Sequence, residues 1–201
     1  MSATTASARR VEKVVTRPVE HDRWNDLVEV FGSNGGCEGC WCMYWRVTSG
    51  PEYDRMRGAP ARAEFSRLVR DGEVPGLLAY HDERPVGWCA VAPRPAYVRL
   101  RRSRTLRPAE PDDPGVWAVP CFYIKNEHRR HGVADQLLAA AVRHAEQQGA
   151  HTIEAYPTDA EHRRYSSGEL HMGTVELFTR HGFSEVERPS PGRVIVRRDL
   201  A

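Results

Sequence analysis

The feature that most limits what this chain can fold into is a strand-like run, Val116–Ile124, that passes through a polar bend into the longest helical pattern in the sequence. Across residues 131–148, Ala134, Leu137, Leu138, Ala141, Val142 and Ala145 recur three and four apart, so they share one face of an α-helix, and Gly149 supplies the stop. A single apolar stripe has to be buried against another layer.

Shorter patterns surround this pair. Residues 11–16 are β-branched enough for a first strand, and residues 20–31 place Trp24, Leu27, Val28 and Phe31 at helical spacing before the glycine-rich stretch 32–39 breaks the pattern. A second helix is predicted over residues 60–70, with proline in its first turn and Asp71-Gly72 as the stop. Residues 76–80 and 86–92 read as a hairpin closed by a polar turn, and residues 93–113 as a long arginine- and proline-rich connection. A strand at 152–156, a short helix at 174–180 and closing strands at 183–186 and 194–197 complete the reading, with no internal repeat.

Composition excludes several classes. The 201 residues are 40% hydrophobic and 28% charged, with a mean hydropathy of −0.59, as in ordinary globular chains. The apolar run 137–142 is far shorter than the roughly 20 residues a bilayer-spanning helix needs, so no membrane association is predicted. Residues 1–10 lack an apolar core and are expected to be a disordered tail rather than a secretory signal. The odd count of 5 cysteines argues for reduced thiols and a cytoplasmic location. A net charge of +2 makes nucleic acid an unlikely partner.

Chemistry concentrates at the start of the long helix. The first backbone N–H groups of a helix have no internal acceptor, its dipole is positive there, Gly132 carries no side chain, and Arg129 and Arg130 add full charges, so a pyrophosphate fits. The stretch Arg129-Arg130-His131-Gly132-Val133-Ala134 resembles the pyrophosphate-binding signature of the GNAT superfamily: Arg or Gln, two residues, Gly, one residue, Gly or Ala. Leu177-Phe178-Thr179-Arg180-His181-Gly182-Phe183 is similar to that family's late Leu-Tyr, three residues, Gly-Phe segment.

The resemblance implies an α/β (α+β) fold over residues 11–201: a mixed, mostly antiparallel sheet of about six to seven strands, flanked by helices and splayed between the fourth and fifth strands. It implies acetyl-CoA as co-substrate and an N-acetyltransferase that moves the acetyl group directly to a primary amine of a small molecule or peptide. The backbone of Phe122, Tyr123 and Ile124 would then pair with the pantetheine arm, Arg129, Arg130, His131, Gly132, Val133 and Ala134 would hold the pyrophosphate, and Phe178 would lie near the coenzyme.

Aminolysis of a thioester needs a neutral amine, a stabilised oxyanion and a proton for the thiolate. Glu154 is the candidate base. Phe178 stands where the family often has a tyrosine proton donor, which leaves Tyr123, Tyr156, Ser166 or Thr174, or unassisted departure of an already acidic thiol. Trp41, Tyr44, Trp45 and Cys121 are candidates for the acceptor pocket, with core packing as the plain alternative for such large groups. Cys37-Glu38-Gly39-Cys40-Trp41-Cys42 contains half of a zinc-site spacing without the other half, so no metal is assigned. The arginines from Arg94 to Arg107 read as a solvated basic loop in preference to a phosphate or RNA site. A non-catalytic acyl-CoA-binding or metal- or redox-sensing module is the alternative to an enzyme, and a homodimer is left open.

Overall fold

The computed structural model describes residues 11–106, 112–160, 165–166 and 169–201. The expected tail at residues 1–10 and Arg107 of the basic segment lie outside the described residues. Strand β1 (Val15–Pro18) leads through a 3-10 turn at His21–Arg23 into α1 (Trp24–Phe31), α2 (Gly50–Met56) and α3 (Ala59–Arg70). The hairpin β2 (Gly76–His81) and β3 (Arg84–Pro93) is followed by α4 (Val98–Arg102) and β4 (Val116–Ile124). Then come α5 (Val133–Gln147), β5 (Thr152–Ala155), α6 (Val175–Arg180), β6 (Ser184–Ser190) and β7 (Arg193–Asp199).

The strands form one sheet in the order β1-β2-β3-β4-β5-β7-β6, antiparallel except for the parallel pair β4 and β5. This is the mixed, mostly antiparallel sheet the resemblance implies. The stripe of α5 packs on one face, where Leu137, Leu138 and Ala141 meet Val91, Val119 and Ile153. On the other face α1 and α3 bring Leu27, Phe31 and Phe65 against Leu78 and Trp88. A third cluster gathers Trp45, Tyr97, Leu100, Ala118, Tyr156 and Ile195.

Three differences from the sequence reading have physical causes. Strand β1 starts at Val15, because the preceding backbone is clamped to α5 instead: Gln136 Oε1 accepts from the Val14 N–H at 3.0 Å, and Gln136 Nε2 donates to the Glu12 carbonyl at 2.6 Å. Helix α2 has no buried residue and so no apolar stripe to read; the Ser49 side chain caps it by accepting from the Glu52 N–H. The connection after β3 is not simply solvated, since Arg94 is fully buried.

Strand β4 is irregular where it matters. Its register against β3 runs from Ala90↔Cys121 to Ala92↔Ala118, so three steps along β4 match two along β3. This bulge falls at Val119 and Pro120, where proline has no N–H to give a ladder. Val119 and Phe122 consequently both face α5, while Cys121 and Tyr123 face the α1 and α3 side. The pairing of β4 with β5 also stops there, at Val119↔Ala155.

Candidate active site

The bend between β4 and α5 is built from alternating left-handed residues, Arg130 at φ 63° and Gly132 at φ 77°. The first helical bond of α5 runs from the Gln136 N–H to the Gly132 carbonyl at 3.3 Å, which leaves the N–H groups of Val133, Ala134 and Asp135 without a helical acceptor. Arg129 Nε donates to the Ile124 carbonyl at 2.9 Å and so fixes the bend to the end of β4. Arg130 is exposed. These are the features of an anion cradle.

The N-terminal segment braces this bend. The Glu12 N–H donates to the His131 carbonyl at 3.0 Å, and the Glu12 carboxylate lies 2.7 Å from His128 Nδ1 and 3.0 Å from His131 Nδ1. Burial would raise the Glu12 carboxyl, but the hydrogen bond and charge of His128, with His81 and His131 nearby, hold it below its ordinary value. Gly132 has a left-handed φ of 77°, and a Cβ there would sit 3.0 Å from Val11 Cγ1, so a side chain at this position is both strained and crowded.

Beyond the bulge, the unpaired half of β4 meets residues 171–174. The Phe122 N–H donates to the His171 carbonyl at 2.6 Å, and on the other side the Thr158 N–H donates to the Gly173 carbonyl at 3.0 Å. This segment therefore runs between β4 and the chain leaving β5. Gly173, at φ 80°, lies so close to the Phe178 ring that a Cβ would be 2.8 Å from Cε2. Phe178 is fully buried against Phe122 and Phe183. Phe122 and Phe178 are thus in contact, and the chain's own residues 171–173 lie against them, whereas Tyr123 and Ile124 are partly exposed.

Glu154 does not face an open cleft. Its Oε2 accepts from Arg94 Nη1 at 3.2 Å and Arg197 Nε at 2.6 Å, and its Oε1 accepts from the Tyr156 hydroxyl. Glu154, Arg94 and Tyr156 are all fully buried. Burial and the adjacent Glu154 carboxylate push the Tyr156 phenol far up, so it keeps its proton. Arg94 and Arg197 escape sequence reasoning because they approach Glu154 from the end of β3 and from β7, and neither approach leaves a local pattern.

The acceptor candidates divide. Trp41 is buried on the α1 and α3 face, stacked on Trp24 at 6.1 Å and edge-on to Phe31 at 5.6 Å, in the same cluster as Cys121 and Tyr123. Tyr44 and Trp45 pack against each other in the third cluster, with the Arg99 guanidinium 4.1 Å from the Tyr44 ring centroid. Cys42, which the sequence reading did not single out for the pocket, is buried in the same cluster and accepts from the Trp88 indole at 3.3 Å. Among the described residues, no group of three His, Cys, Asp or Glu side chains is arranged to hold a metal ion, and no helix is long and apolar enough to cross a membrane.

The fold is similar to PaiA N-acetyltransferase from Thermoplasma acidophilum in complex with coenzyme A, at 13% identity and a TM-score of 0.52 over 94% of this chain and 99% of that one. It is similar to an N-acetyltransferase from Staphylococcus aureus Mu50, at 14% identity and a TM-score of 0.55 over 94% and 99%. Ribosomal-protein-alanine N-acetyltransferase from Brucella melitensis is also similar, at 16% identity and a TM-score of 0.50 over 92% and 99%. No curated protein sequence matches. The family model described as acetyltransferase (GNAT) matches residues 40–183, from the cysteine loop through the cradle to Phe183, and the chain belongs to this acyltransferase family.

Proposed function

We propose that the chain moves an acetyl group from acetyl-CoA to a primary amine of a small molecule or peptide by direct transfer, in the cytoplasm, with residues 11–201 acting as one domain. The observation that carries this reading is the placement of the Gly132-capped start of α5 beside the half of β4 that β5 leaves unpaired. Arg129, Arg130 and the N–H groups of residues 132–134 would hold the pyrophosphate. Acetyl-CoA supplies a thioester carbonyl activated toward an amine.

The chain's own residues do the rest. In this reading residues 171–173 withdraw from β4, which frees the Phe122 N–H for the bound arm and uncovers Phe178. Tyr123, on the α1 and α3 side past the bulge, donates the proton to the departing thiolate. Glu154 and Tyr156 are positioning residues: the buried carboxylate ties β5 to β7 and to the end of β3. Trp41 and Cys121 form one wall of the acceptor cleft, with Tyr44 and Trp45 at its border.

Thermal unfolding with and without acetyl-CoA tests the donor, since ligand at about 100 times its Kd stabilises by about 2.7 kcal/mol. No response sinks the reading. Hydrogen exchange follows the segment: the Thr158 amide, bonded to Gly173, exchanges faster with coenzyme bound, and unchanged protection means residues 171–173 stay in place. Thiol release across an amine panel tests the acceptor. Coenzyme binding without turnover on any amine leaves a non-catalytic acyl-CoA-binding module. Tyr123→Phe lowers kcat by roughly 10²-fold if Tyr123 is the acid.

A further inference from the structure

We propose that Arg46, Arg99 and the Tyr97 hydroxyl form a carboxylate-binding subsite at the border of the acceptor cleft, so that the acceptor is a small amino acid, carrying an amine and a free carboxylate. The inference rests on the proposed function and names the class of acceptor within it.

The side chains come from two segments that a backbone hydrogen bond joins. The Arg99 N–H donates to the Trp45 carbonyl at 3.0 Å, which sets α4 beside the loop that carries Arg46. The Arg46 guanidinium carbon lies 5.3 Å from the Tyr97 ring centroid, and that of Arg99 lies 4.1 Å from the Tyr44 ring centroid. Tyr44 is edge-on to Trp45 at 4.8 Å and to Tyr53 at 5.1 Å, so Arg99 rests on a ring that is itself held. A ring engages the charge of a guanidinium but does not supply the carboxylate oxygens that its N–H fork is shaped for.

The polar atoms of this group are left over. Among the described residues, Arg46 Nη2, Arg99 Nη1 and the Tyr97 hydroxyl are buried with no hydrogen-bond partner. The Arg46 side chain is 7% exposed and Tyr97 is 1% exposed. A buried donor without an acceptor costs free energy, and a buried cation costs more, so packing alone does not explain such groups on neighbouring residues. Burial, opposed by the charge of Arg46, holds the Tyr97 phenol above its ordinary value, so it too presents a proton. A ligand that meets donors alone, beside guanidinium groups, is an anion.

Charge selects which anion. Arg46 Nη1 lies 3.0 Å from Glu73 Oε2, so its charge is already matched, whereas no salt bridge reaches Arg99 among the described residues. The group is short of a single negative charge, as a carboxylate supplies, and not of the larger charge on a phosphate monoester. The neighbouring arginines are used elsewhere, Arg94 on Glu154 and Arg101 on Asp112, so the basic segment is not one phosphate-binding surface. Met172 shares the buried cluster of Trp45 and Tyr97. The proposed withdrawal of residues 171–173 would therefore uncover these donors together with the Phe122 N–H.

The test compares amines that differ only in this charge: amino acids of increasing separation between amine and carboxylate, each beside its own carboxamide and the matching aminoalkyl phosphate. In thiol release with acetyl-CoA, an acid is expected to exceed its amide at least about tenfold in kcat/KM. Equal rates, or a higher rate with the phosphate, overturn the subsite and leave the acetyltransferase reading standing. No turnover on any amine is a failure of that reading instead. Calorimetry of the same pairs, with coenzyme A present and absent, then decides: an acid bound at least about tenfold tighter than its amide supports the subsite, and equal or undetectable binding overturns it. Arg99→Met is expected to erase the preference for acid over amide with Tm unchanged or raised, because a buried N–H without an acceptor contributes no stability. Tyr97→Phe, which removes only the hydroxyl, lowers the acid-to-amide ratio by a smaller factor. A lower Tm for Arg99→Met with the preference kept would make Arg99 structural, and a raised KM for acetyl-CoA with the ratio unchanged would assign it to the coenzyme; either result overturns the proposal.

Discussion

The two faces of the sheet centre, strands β2 to β5, are both covered, yet they are assembled in opposite ways. The α5 face is largely aliphatic and is made by regular elements, with Leu137, Leu138, Ala141 and Ala145 against Val91, Val119 and Ile153. The α1 and α3 face is aromatic and sulfur-rich: Phe31, Trp41, Phe65 and Trp88 meet at steep ring angles around Cys42, and an irregular loop supplies part of it. An aliphatic face is held by area alone. The aromatic face also carries directed hydrogen bonds, and it lies beside the half of β4 where the bulge turns Cys121 and Tyr123 outward from α5.

The largest expected effect lies between the faces. Glu154→Ala leaves fully buried Arg94 without its carboxylate and costs about 3–5 kcal/mol in urea unfolding. A loss near zero would mean that the charge cluster does not hold β5 in place. On the aliphatic face, Leu138→Ala costs about 2–5 kcal/mol while leaving the pH dependence of Cys42 alkylation unmoved; a moved profile would show the faces to be coupled. Gly132→Ala forces a side chain into a left-handed position against Val11, so it lowers stability by about 1–2 kcal/mol and weakens coenzyme binding, measured by calorimetry.

Smaller effects sharpen the contrast. Trp88→Phe keeps an aromatic ring but removes the donor to Cys42, which costs about 1 kcal/mol and shifts alkylation of Cys42 to higher pH. An unshifted profile would show that the indole does not favour the thiolate. Glu12→Gln should matter least, under about 1 kcal/mol. Because the folded carboxyl is held below its ordinary 4.5, the stability it contributes is present above that pH and disappears as the pH falls through and below it. The gap between wild type and variant should therefore close on acidification, as followed by unfolding curves on either side of pH 4.5.

Local patterns made part of this legible. Strand Val116–Ile124 and the stripe of α5 follow from residue spacing within one element, and so does the cradle at Gly132, because helix-end chemistry needs only neighbours in sequence. The bulge was not legible in the same way: Pro120 is visible, but which residue it turns to which face depends on β3. The partners of Glu154 lie 60 and 43 residues away, and Cys42 meets the Trp88 indole across 46 residues. The Phe122 N–H looked available from sequence, and only the course of residues 171–173 shows that the chain uses it.

By itself the sequence determined the family, the order of the strands and of α1, α3, α5 and α6, and the glycine-capped start of α5, because each is written in the motifs, periodicity and end chemistry of one segment. Tertiary structure alone decided that Glu154 is clasped by two arginines, that the gap beside β4 is spanned by the chain's own residues, and that the Trp88 indole donates to Cys42. The physical reason is the same in each case: burial makes a charge, an N–H or a thiol depend on whichever partner the fold delivers, and that partner comes from far along the chain.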